Sequence, residues 1–142
     1  MYSILLHIHS GLRWFVLVFL VWAIIRAAMK SYRKEGKPLA ALLGLISTHV
    51  QLVIGLILYF ISPKVIFAGS SMSNSVLRFY LVEHIALMLA AVILITMGYV
   101  KAKRAAEDLK MNKSILWYYS IGLLLILVSI PWPFRNLGAG WF

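Results

Sequence analysis

Four histidines, His7, His9, His49 and His84, all fall inside long apolar stretches of the chain, and none lies in a connecting segment. Imidazole binds metals and exchanges protons near neutral pH, and an ionisable side chain placed in hydrocarbon is costly enough to point to function. One such histidine is explained by a hydrogen bond between helices worth about 1 kcal/mol. Four of them on three apolar stretches ask for more. Arg13 and Glu83 share those stretches, and a charge there needs a counter-group: each other, an acidic group on a ligand, or, more simply, lipid headgroups for Arg13 and Arg78 for Glu83.

Other chemistries are poorly provided for. The chain has no cysteine, which removes disulfides, iron–sulfur clusters, thiolate metal sites and covalent haem attachment. No nucleophile triad, phosphate loop, carboxylate pair or zinc motif is present, so hydrolysis has no support. A metal would have to be held by histidine, carboxylate or methionine.

The elements that must position these groups are membrane helices. The 142-residue chain is 63% hydrophobic with a mean hydropathy of +0.92, the composition of an integral membrane protein of one domain. Apolar runs at 4–28, 39–61, 76–100 and 115–131 each approach the ~20 residues that cross a bilayer. The first is too long for the core of a cleavable signal and lacks a small-residue cleavage pattern, so it is expected to stay. Short connections then predict an all-α, up-down-up-down four-helix bundle with the first and third helices parallel and diagonal.

The net charge of +10 does not indicate nucleic acid, because the bases gather at the ends of apolar runs rather than on a soluble face. Arg26, Lys30, Arg33, Lys34 and Lys37 flank the first connection and Lys101, Lys103, Arg104, Lys110 and Lys113 the third, against Arg13, Lys64, Arg78 and Arg135 on the other side. The excess predicts both termini on the outer, periplasmic side of a bacterial inner membrane. Gly36, Lys37 and Pro38 close the first connection, Ser73 or Asn74 caps the third helix, and 101–113 reads as a helical extension with Glu107 and Asp108 against neighbouring lysines. The closing PWPFRNLGAGWF reads as an interfacial anchor rather than part of a site.

Depth pairs the histidines. At a rise of 1.5 Å per residue, His84 lies about 25 Å above Lys101, His9 about 25 Å and His7 about 28 Å above Arg26, and His49 about 18 Å above Lys37. A first-helix histidine and His84 can therefore share a plane across the bundle, as two axial ligands of one haem iron must. His7 and His9 point to opposite sides of their helix, so only one can serve. The His7 face carries Ser3, Ser10, Gly11 and Trp14, small and polar enough for a flat macrocycle, and makes His7 the preferred ligand; depth favours His9, whose face carries Tyr2 and Arg13. His49, in the polar patch with Ser47, Thr48 and Gln51, is the alternative partner of His84, a ligand to a second haem, or a hydrogen-bonding group. Gly11, Gly44 and Gly55 admit either a haem edge or close helix packing.

These residues resemble a half-bundle of the haem A synthase type and, more loosely, small bacterial membrane b-type cytochromes. The likeness rests on His7, His9 and Arg13 in the first helix, Val50-Gln51-Leu52-Val53-Ile54-Gly55 in the second and Glu83-His84 in the third. It implies one bis-histidine haem b with Gly11, Arg13 and Gln51 near it. It does not extend to haem A synthesis, because arginine does not directly follow histidine and the glutamate and cysteine signatures of that catalysis are missing. The expected function is electron transfer within the lipid bilayer, with quinol or the other membrane subunits of a respiratory complex as partners. A haem-free accessory subunit and a small proton-relay or transport protein are the alternatives.

Overall fold

The computed structural model describes residues 1–141, and within them the all-α bundle is what forms. Four helices, α1 (Tyr2–Ala28), α2 (Leu39–Ile61), α3 (Ser75–Arg104) and α4 (Asp108–Ser129), are each long and apolar enough to cross a membrane. Helix α1 packs on α2 and α4, and α3 on α4 and α2, which leaves α1 and α3 as the diagonal pair. The chain is a multi-pass membrane protein.

Local signals set the ends. The Asn74 side chain accepts from the backbone N–H groups of Val76 and Leu77 at 3.0 and 3.1 Å and so starts α3. Pro38, at φ −77°, precedes α2. The third connection is helical at both ends, as expected, but not continuous: α3 runs to Arg104, residues 105–107 leave the helix, and α4 begins at Asp108. Hydropathy marks where the bilayer ends, whereas a helix continues as long as its hydrogen bonds can form, and 108–113 contains no glycine or proline to stop it. These extra turns are anchored. Asn112 donates to the carbonyls of Tyr32 and Asp108 and accepts from the Tyr32 N–H, while the Asp108 carboxylate takes the Lys34 N–H at 2.7 Å and pairs with Arg33. Glu107 meets Lys110 at 3.2 Å.

The two halves of the bundle differ in packing. Toward the basic connections the helices close on small residues: Ala23, Ala27, Ala40 and Ala41 between α1 and α2, and Ala91, Gly98 and Ala102 where α3 meets α4. A Cβ on Gly122 would lie 2.7 Å from Ile95 Cγ1, so α3 and α4 approach at a distance only glycine allows. The Tyr119 hydroxyl, fully buried, spans the other diagonal to the Ala41 carbonyl at 2.7 Å. Toward the opposite end the helices part around a cavity.

Candidate functional site

The cavity, about 210 Å³, is bounded by all four helices, the second connection and the segment after α4. His9 of α1 and His84 of α3 both line it, their rings edge to face with centroids 6.5 Å apart and planes at 71°. Both follow from one spacing. On α1 the inward residues are His9, Arg13, Val16, Leu20, Ala23 and Ala27; on α3 they are His84, Met88, Ala91, Ile95, Gly98 and Ala102. The steps alternate four and three identically, the interval that keeps one side of a helix turned to a bundle axis. Each histidine thus holds the same position on its helix relative to the alanine that closes the basic half.

Local structure then aims the rings. A π-helical turn at Phe79–Glu83 widens α3 just before His84, a distortion common at functional positions, and brings Tyr80 and His84 together onto the cavity wall. The Tyr59 hydroxyl of α2 donates to the Leu81 carbonyl inside that turn at 2.9 Å. His84 Nδ1 lies 2.8 Å from the Ser129 carbonyl; a carbonyl only accepts, so Nδ1 carries the proton and Nε2 keeps its lone pair. That arrangement, one ring nitrogen given to a backbone carbonyl and the other free, is how metal-binding histidines are oriented. The His9 ring rests against Gly55, where a Cβ would lie 3.0 Å from its Cε1, and the Gln51 amide donates to the His9 carbonyl at 2.9 Å. Among the described residues, His9 Nδ1 and Gln51 Oε1 are buried without a hydrogen-bond partner.

Arg13, one turn below His9, is only 8% exposed. Its Nη2 donates to the Trp141 carbonyl at 2.5 Å, its guanidinium lies over the rings of Trp14 and Trp132, and its Nε has no partner among the described residues. Glu83 is not its counter-ion, being paired with Arg78 at 2.8 Å.

Neither profiles of known protein families, nor curated proteins, nor solved structures give a match to this chain. The site must be read from its own geometry.

The structure divides the sequence candidates. His9, Arg13, Gln51 and His84 line one cavity, whereas His7 is exposed on the outer flank of α1 and does not reach it. The small-residue stripe that favoured the His7 side is split: Ser10 borders the cavity, and a Cβ on Gly11 would touch nothing within 4 Å. His49 is also exposed, bonded to the Leu45 carbonyl at 2.8 Å and near Thr96 Oγ1 at 3.4 Å. Gly44 is a packing position against Leu20. Tyr80, Lys64, Ser129 and the 138–140 backbone belong to the cavity or its support and were not foreseen; only Tyr80, one turn before His84, carried a signal. The closing segment is no mere anchor, since Gly138, Ala139 and Gly140 form part of the wall.

The donors suit a metal that brings its own equatorial ligands. No group of three or more His, Asp or Glu side chains gathers among the described residues, so a protein-only cage is not on offer. Two imidazoles bound from opposite sides of one metal at about 2 Å each would hold their centroids roughly 6.4 Å apart, against the 6.5 Å between His9 and His84. The fixed His84 tautomer, the space left by Gly55 and the unpartnered His9 Nδ1 agree with a haem between the two rings.

Proposed function

We propose that this is a membrane-embedded b-type haem protein that transfers electrons, with one haem held by His9 and His84. The observation that carries the reading is the pair of imidazoles, from two diagonal helices, that share the cavity with their centroids 6.5 Å apart. Haem supplies one-electron chemistry, its iron cycling between ferric and ferrous forms. The chain's residues set the conditions. Ser129 fixes the His84 ring through Nδ1, Gln51 ties α2 to the turn of α1 that carries His9, and the buried Arg13 cation favours the state with one more electron.

The distribution of bases supports a bacterial inner-membrane protein with the cavity near the outer face, within reach of a quinol or of a partner subunit on that side. A second reading, a subunit of a larger membrane assembly, draws on His7 and His49, exposed on flanks of spanning helices, where polar groups gain by meeting another helix. The two readings are compatible for a respiratory complex.

A reduced-minus-oxidised spectrum of the purified protein, with a pyridine haemochrome ratio, tests the proposal. One haem b per chain is expected, lost in His9→Ala and His84→Ala and kept in His7→Ala and His49→Ala. Protein purified without haem, or haem kept in His84→Ala, would refute it.

A further inference from the structure

The segment after α4 returns across the open end of the cavity and is held there by side chains from three elements. Arg13 of α1 donates to the Trp141 carbonyl at 2.5 Å, the Tyr80 hydroxyl of α3 donates to the Leu137 carbonyl at 3.0 Å, and Lys64 of the second connection donates to the Gly138 carbonyl. Two glycines lie in this segment, Gly138 at φ +70° and Gly140 two residues on, and glycine changes conformation at little steric cost.

Backbone carbonyls are modest partners for a buried guanidinium and a half-buried ammonium at the cavity wall. Arg13 Nε has no acceptor among the described residues, and a guanidinium can grip a carboxylate through two nitrogens at once. Lys64 Nζ also lies 4.9 Å from the centre of the Tyr80 ring, and burial lowers its pKa below the ordinary ammonium value. Both cations gain by exchanging a carbonyl dipole for a full negative charge.

We propose that Arg13 and Lys64 are the receiver for the two carboxylates of the bound macrocycle, and that residues 137–141 are a latch whose carbonyls occupy these cations until the ligand displaces them. The inference rests on the haem reading and adds to it an orientation, with the carboxylate edge at the latch, and a specificity residue, Lys64.

The chain has no cysteine, so Ala139→Cys gives the latch a single thiol. The full chain, produced haem-free and placed in lipid nanodiscs, is titrated with haemin and with haemin dimethyl ester while alkylation of that thiol by a water-soluble maleimide is timed. Haemin should speed alkylation by about tenfold and the ester should not. Lys64→Gln should weaken haemin about tenfold, as loss of a charge-assisted hydrogen bond does, and leave ester binding unchanged. Ester binding by Lys64→Gln also checks that the variant is folded. Equal affinity for haemin and ester, or alkylation unchanged or slowed by haemin, overturns the latch while leaving the His9–His84 pair standing. Haemin that fails to bind the unaltered chain overturns the haem reading and this inference with it.

Discussion

Replacing Gly55 by alanine tests the proposed ligand role of His9 apart from its role in packing. The new Cβ would stand 3.0 Å from His9 Cε1, closer than ordinary van der Waals contact, so the imidazole must give by a few tenths of an ångström. Ligand bonds in metal sites hold to within about 0.2 Å, and a shift of a few tenths of an ångström is enough to strain one. The fold is not endangered, because Gly55 lies inside α2 and Gly→Ala in a helix interior returns about 0.5–1 kcal/mol. Gly55→Ala should therefore keep or raise its thermal midpoint in detergent while its haem passes partly from a low-spin, six-coordinate to a high-spin spectrum and, once reduced, binds carbon monoxide. Gly44→Ala is the control: its Cβ meets Leu20 Cδ2 at 3.1 Å and Tyr119 Cε2 at 3.4 Å, an equal crowding far from the histidines, and its spectrum should not change. An unaltered spectrum in Gly55→Ala, or the same spectral change in Gly44→Ala, would refute the assignment of His9.

Two further expectations concern the opposite end and the topology. Asn112→Ala, at a position 2% exposed, strips the buried Tyr32 N–H and carbonyl of their partner and should lower stability by about 2–4 kcal/mol in reversible unfolding, with haem content unchanged at low temperature because the cavity is at the other end. In intact bacteria, a membrane-impermeant thiol reagent should label Ser70→Cys directly and Gly36→Cys only after permeabilisation; the reverse pattern would invert the orientation.

Much of this was legible from the residues. Apolar runs of bilayer length between basic clusters leave helices as the economical way to satisfy every backbone group, and short connections make neighbours antiparallel. Depth alone placed His9 level with His84, because the rise of a helix is fixed. Rotation about the axis was harder to read. The preference for His7 followed a stripe of small residues, yet small residues decide packing only where helices touch, and α1 touches its neighbours through Leu20, Ala23 and Ala27. Carrying that four-three spacing back toward the N-terminus leads to Arg13 and His9, so the face that lines the cavity was written in the closely packed half, not in the polar turn around His7.

The sequence by itself determined four spans, their alternation, the diagonal of the first and third, and a shared depth for two histidines, since all of these follow from hydropathy, helix rise and loop length. Only the tertiary structure decided the rest. The Tyr59 bond into the π turn before His84, the Ser129 carbonyl that sets its tautomer, the space Gly55 leaves beside His9 and the return of residues 137–141 over Arg13 and Lys64 each join positions distant in the chain. Nothing local prefers them: they exist because closing one half of the bundle on alanine and glycine holds the other half apart, and the groups lining that gap must find their partners across it.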